Sequence, residues 1–444
     1  MKVKLFVLIG LITSIQYSQG QLPSIPATLS LEEARQLAIK NNPTILNSNL
    51  NIAISQKQVE EARWKKIPQV YTKYDIRSNL IIPTTPVPAR AFDPAASENV
   101  LLPLKFASRW SSNIGLNAHY DLFNPQTRGA VREAEHQTLI STVEAAISAS
   151  DLQFAINLDY VACIIAGKQV VMAALDTAIM TRILSVTSDR YKAGRSTDAD
   201  INNAMTNKNR SVSDYFRAEN ILAQAGARLL TDLGLDPAQS ELPILTDSIP
   251  VLMTLFAKDV HNAPEPLHLQ RIAHQQALSE IRLQNTRDGF LPTVSLNGFL
   301  GANYYDNGFN IFNESHWYGN SYLGLSVTIP ITQGLDRIKK ADVLKLQILA
   351  DRNRYLTEQN QHNFEVSQAR NDYLFRKRDL DLMEQSMELA SKNFKLSLDQ
   401  FKEGRIMVSE LSTSELHYRQ AKAEYLQAAY DLIVAGMRLE KAIR

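Results

Sequence analysis

The chain has 444 residues, 45% of them hydrophobic, and 47 basic against 46 acidic side chains leave a formal net charge of +1. That balance gives no electrostatic ground for binding nucleic acid or an anionic membrane surface. The single cysteine, Cys163, excludes an intrachain disulfide, and its place in an apolar helical pattern reads as a packed thiol rather than a reactive one.

Residues 1–20 read as a secretory signal. Lys2 and Lys4 precede the apolar run from Leu5 to Ile12, and Ser18-Gln19-Gly20 offers small residues for a cut before Gln21. The run is too short to cross a bilayer, and no later window is expected to be apolar enough for a membrane helix. No cysteine follows the expected cut, so a lipid anchor is not indicated. An exported chain of this kind is either soluble or a β-barrel.

Ser30 is placed to cap a helix with Glu32 and Glu33 in its first turn, and Asn41-Asn42-Pro43 breaks that helix. A second helical pattern runs from Thr44 to Lys66. The period then changes to two. Val70, Tyr74, Ile76 and Leu80 alternate with polar residues, and so do Ile114, Leu116, Ala118, Tyr120 and Leu122. The second half of the chain repeats this with a third strand through Val294, Leu296, Leu300, Ala302 and Tyr304, and a fourth from Leu323 to Ile331. Long strands with one apolar and one polar face suit a lipid-facing barrel, and a half-buried soluble sheet is the alternative. Trp110, Trp317, Tyr318 and Tyr322 are expected where strands two and four begin, as an interfacial girdle requires; ordinary packing at loop edges is the other reading.

Each strand pair leads into a long helical pattern, from about Gln126 to Lys192 and from about Leu335 to Lys402. Leu158, Ile165, Met172, Ile179 and Val186 recur every seven residues in the first. Val366, Tyr373, Leu380, Met387, Phe394 and Phe401 do so in the second. Such a period means helix packing of the coiled-coil kind. Each helix ends on a near-copy of the same stretch: Arg190-Tyr191-Lys192-Ala193-Gly194-Arg195, and 210 positions later Gln400-Phe401-Lys402-Glu403-Gly404-Arg405. A glycine between two helical patterns is a stop signal, so each copy reads as the turn of a long hairpin. The domain division follows: a first repeat over 21–235, a linker over 236–266 and a second repeat over 267–444.

Four strands cannot close a barrel, and an open edge cannot face lipid. Strands in a membrane therefore require oligomerisation: two copies give eight strands, three give twelve with room for a lumen.

At this point the chain resembles the TolC family of outer-membrane efflux proteins. The resemblance rests on Ser30-Leu31-Glu32-Glu33-Ala34 with Asn41-Asn42-Pro43, on Ile67-Pro68 and Leu291-Pro292 before strands, on Gly334 after the fourth strand, and on both Tyr/Phe-Lys-x-Gly-Arg turns. It implies an α+β membrane protein: a homotrimer with a twelve-stranded barrel in outer-membrane lipid and long helical hairpins forming a periplasmic α-barrel. It implies a passive exit duct for a tripartite efflux or type I secretion system, with a periplasmic adaptor and an inner-membrane transporter as partners. It implies adaptor docking at Tyr191, Lys192, Gly194 and Arg195 and at Phe401, Lys402, Gly404 and Arg405. For Lys192, Arg195, Lys402 and Arg405 a solvated helix end that complements the helix dipole is the plain alternative. Asp200 and Glu410 match the acid that follows each family turn near the periplasmic gate. The family often has a threonine or a second acid nearby; Asp198 and Thr413 are the closest here, so the gate chemistry is expected to differ from the pattern.

No zinc spacing, phosphate loop or GxSxG occurs, so no cofactor, metal or enzymatic activity is expected. A periplasmic coiled-coil scaffold without a pore is the competing function.

Overall fold

A computed structural model describes residues 26–256 and 265–443, apart from 98 and 332. The signal peptide expected over 1–20 lies outside the described residues.

In chain order the elements are β1 (Thr28–Leu29), α1 (Leu31–Asn41), α2 (Pro43–Trp64), β2 (Gln69–Ser78), β3 (Thr85–Pro88), β4 (Leu101–Leu104), β5 (Trp110–Phe123), α3 (Pro125–Lys192) and α4 (Asp198–Asp232). Then follow β6 (Ile244–Leu245), α5 (Ile249–Leu255), α6 (Leu267–Asp288), β7 (Thr293–Asp306), β8 (Trp317–Thr328), α7 (Gln333–Lys402) and α8 (Val408–Ile443). The four expected strands and both long helices are therefore present. Five short elements, β1, β3, β4, β6 and α5, escaped the sequence reading. The proline-rich loop holds the β3–β4 hairpin, and the linker holds α5 and β6, with β6 pairing in parallel with β1.

Local chemistry explains the boundaries. Ser30 and Glu33 form a capping box, the Glu33 backbone N–H donating to the Ser30 hydroxyl and the Ser30 N–H to the Glu33 carboxylate. α7 buries its sevenfold row as expected: Leu380, Phe394 and Phe401 are buried, with Val366, Tyr373 and Met387 half-buried between them. One expectation fails. A window of α3 reaches a mean hydropathy of 1.6, enough by length and composition to cross a membrane. Ile156, Val161, Ile164 and Ile165 of that helix are buried.

β2, β5, β7 and β8 form one antiparallel sheet in that order, which leaves β2 and β8 as edges. The register sets two unlike faces. One carries Val70, Tyr74, Ile76, Ile114, Leu116, Leu300, Leu323 and Leu325; the other carries Lys73, Asp75, Asn113, His119, Asn297, Asn303 and Ser326. On the apolar face Trp110 opens β5 and Trp317 opens β8, as a girdle requires. Tyr318 and Tyr322 do not fit one: both stand on the polar face, and β8 starts six residues before Leu323, which puts Tyr322 in mid-strand.

By contacts the chain forms two compact units, and both repeats contribute to each. Among the described residues, one takes 26–43, 155–255 and 380–433; the other takes those within 44–154, 256, 265–379 and 434–443. The sheet belongs to the second unit, both hairpin turns to the first.

Candidate functional site

The two hairpin turns are built alike. In the first, the Arg195 N–H donates to the Arg190 carbonyl at 2.8 Å and the Gly194 N–H to the Tyr191 carbonyl at 2.9 Å. In the second, the Arg405 N–H donates to Gln400 at 2.9 Å and the Gly404 N–H to Phe401 at 3.0 Å. These bonds satisfy the last carbonyls of α3 and α7, and they need a left-handed residue at the turn. Gly194 and Gly404 supply it, at φ 69° and 83°.

Beneath the turns lies a shared core. Met180 and Ile183 of α3 pack with Phe394 and Phe401 of α7 and Val408 and Leu411 of α8. Phe401 is only 1% exposed, so this predicted docking residue is a core residue that anchors the turn. Arg190 holds it from the other hairpin. Its guanidinium lies 4.2 Å from the Phe401 ring centroid and donates to the Phe401 carbonyl. Position 400, its counterpart, is glutamine, so the two turns are not equivalent.

The other predicted docking residues, Tyr191, Lys192, Gly194, Arg195, Lys402, Gly404 and Arg405, are exposed. Lys402 pairs with Asp399 at 2.8 Å and Arg405 with Glu403 at 2.9 Å. The Tyr191 hydroxyl bonds to Asp198, which holds the phenol above its ordinary pKa. Asp200 completes a capping box at the start of α4. It accepts from the Thr197 N–H and hydroxyl, both at 2.9 Å, and from Ser196 at 3.1 Å, and these bonds hold its carboxyl below the ordinary range. Glu410 stands exposed in the first turn of α8, and the Thr413 hydroxyl donates back to Ser409 at 3.0 Å. The acidic gate candidates thus sit in the first turns of two helices, Asp200 committed to its cap and Glu410 facing solvent.

Further along the hairpins is a charged cluster that the sequence reading missed. Lys422 of α8 pairs with Asp176 of α3 at 3.1 Å, and Arg419 of α8 reaches Asp214 of α4 at 3.0 Å and Glu415 at 3.6 Å. Burial pushes the Glu415 pKa up, Arg419 opposes that, and Asp176 adds to it. The ion pairs tie α8 to both helices of the other hairpin. The signal was present in the sequence: Lys422 falls between Tyr418 and Tyr425 of the packing row, at i+4 and i−3, where a charge needs a partner.

Residues 265–443 match the family model for outer membrane efflux proteins. The chain carries an outer membrane efflux protein domain. No curated protein sequence matches the chain. Solved channels show that its fold extends beyond that efflux-protein domain. The open state of the MtrE outer-membrane channel of Neisseria gonorrhoeae aligns at TM-score 0.67 and 17% identity, over 96% of this chain and 93% of that one. The CmeC outer-membrane channel of Campylobacter jejuni aligns at 0.72 and 12%, over 93% and 85%. The outer-membrane protein VceC of Vibrio cholerae aligns at 0.68 and 13%, over 93% and 95%. The sheet and both hairpins therefore share the fold of these solved channels.

Proposed function

We propose that the protein is a trimeric outer-membrane channel, the passive exit duct of a tripartite efflux or type I secretion system, with its helical hairpins in the periplasm. The observation that carries this reading is the sheet. Its apolar face suits lipid, its polar face suits water, and the outer edges of β2 and β8 have no strand partner among the described residues. Joining β8 of one copy to β2 of the next removes every edge, and three copies give twelve strands around an aqueous lumen. The helices support the same assembly. Phe375, Leu382, Leu389 and Leu396 form a second sevenfold row on α7, and all four are exposed. A coiled-coil seam of that length calls for a helix from another copy.

The hairpin turns are then the periplasmic end. Tyr191, Lys192, Gly194 and Arg195, with Lys402, Gly404 and Arg405, present a basic, hydrogen-bonding surface to a periplasmic adaptor, which couples the duct to an inner-membrane transporter. Phe401 gives that surface its rigidity. Asp198, Asp200, Glu410 and Thr413 line the gate, where rings of acids favour cations. Glu410→Gln tests this without touching a helix cap. The variant channel should lose cation preference or gain resting conductance in a planar bilayer, and an unaltered channel removes Glu410 from the gate.

The deciding experiment is the mass of the complex extracted in detergent from the outer-membrane fraction. A trimer is the expected result. A monomer, or a protein recovered soluble from the periplasm, would replace the duct with a coiled-coil scaffold.

A further inference from the structure

The polar face of the sheet has a composition that water contact alone does not explain. It carries rings but no aliphatic side chain along the paired register: Tyr71 on β2, Phe299 and Tyr305 on β7, and Tyr318 and Tyr322 on β8. Leucine, isoleucine and valine fall on the opposite face. If that face needed only apolar filling, aliphatic residues would serve as well.

The rings are also arranged. Phe299 and Tyr322 stack at 5.8 Å between centroids with 23° between planes, and Tyr305 and Tyr318 lie 6.3 Å apart. Phe299 lies flat because β5 beside it and its own strand give up side chains there. A Cβ at Gly115 would stand 2.5 Å from the Phe299 ring, and one at Gly301 would stand 2.7 Å from it. Phe299 is accordingly 7% exposed, while its partner Tyr322 is 57% exposed. Beside Tyr322 on the same face, Gly324 leaves open space. Polar groups border the platform. His119 bonds to Asn297 at 2.8 Å, and Asn297 donates to Ser326 at 2.9 Å. The amide nitrogen of Asn117, cross-strand neighbour of both Tyr71 and Phe299, is buried with no acceptor.

We infer that this face is a solute-binding wall for flat aromatic molecules, with the Phe299–Tyr322 stack as its platform and the amide and imidazole groups beside it as partners for the solute's polar edges. The inference rests on the duct reading, which turns this face toward the lumen. Aromatic stacking is worth about a two- to tenfold gain in affinity per pair, so binding is weak and release fast. A passage needs that combination: attraction enough to enter, and not enough to stay.

The test uses the purified oligomer in planar bilayers, with ethidium as the flat aromatic probe and tetraethylammonium as a cation without rings. Ethidium should block the current in brief events. The double variant Tyr322→Ala with Tyr318→Ala should raise the blocking concentration about five- to tenfold and leave the tetraethylammonium response as it was. Tyr322→Phe should keep the block. If alanine disturbs assembly, Tyr322→Leu retains the bulk without the ring and carries the same expectation. Equal block in wild type and ring-less variants, or equal block by tetraethylammonium, would overturn the binding wall while leaving the duct intact. A protein that conducts no ions would overturn the duct, and the wall with it.

Discussion

Asp159 shows what one residue does to this fold. It lies in the buried stretch of α3, 4% exposed, and its Oδ2 has no donor. Burial pushes its pKa from the ordinary 3.8 up to about 6, a hydrogen bond shared with the Asp232 carboxyl adds to this, and Arg228, at 3.2 Å, opposes it. The sign follows from linkage: a carboxyl raised in the fold holds a proton that the unfolded chain has already released. Its contribution to stability is complete below about pH 4, the unfolded value, and is lost as pH rises through about 6. Asp159→Asn presents a neutral amide that can donate to Asp232. Its melting temperature relative to wild type should therefore rise between pH 5 and pH 7, by an amount corresponding to about 1 kcal/mol. A difference that stays flat across that range would show Asp159 ionised in the fold. Cys163, one helical turn on, is governed by the same burial, which pushes its thiol up to about 12, with Asp159 adding to the shift. A thiol so held stays protonated at neutral pH, in keeping with the packed role that its position suggests.

At the scale of elements, the helix ends are set by three glycines with positive φ, and they are not interchangeable. Gly194 turns in open space, whereas a Cβ at Gly234, φ 77°, would stand 2.7 Å from the Asn41 carbonyl. Both must take the left-handed region; only Gly234 must also admit a second backbone. Gly194→Ala should cost about 1 kcal/mol, the ordinary left-handed penalty. Gly234→Ala should cost about 3 kcal/mol because backbone has to move as well. Denaturant unfolding of the two variants checks the order, and equal costs would show that the α1 end yields to the added methyl. The N-termini of α1 and α4 are fixed by side chains instead. Ser30 with Glu33, and Thr197 with Asp200, supply the donors and acceptors that backbone geometry leaves unmatched.

For the whole molecule, the decisive feature is that α7 carries two sevenfold rows and the chain covers one. Phe394 is buried; Leu389 and Leu396 are exposed. Phe394→Ala should therefore destabilise each copy by about 3 kcal/mol through the cavity it leaves. The pair Leu389→Lys with Leu396→Lys should leave the folded copy intact and separate the oligomer. Circular dichroism together with native mass distinguishes these outcomes, and an oligomer unaffected by the two lysines would place the seam elsewhere.

The sequence alone specified the elements whose cause is local. Period two marked the strands, period seven marked the buried face of α7, and the glycine copies at Gly194 and Gly404 marked the hairpin turns, because each depends on side-chain spacing along one segment. Hydrophobic periodicity could not reveal Arg190 on Phe401, the Asp176–Lys422 pair, or Phe299 lying over Gly115 and Gly301. Those join residues far apart in the chain, and their partners are chosen by strand register and helix packing. Nor could it foresee compact units that mix both repeats, since equivalent segments of the two halves come together only when the chain folds back on itself. Local propensity wrote the elements; which residue meets which was decided by the tertiary structure, since burial and contact are properties of the folded chain and not of the segment.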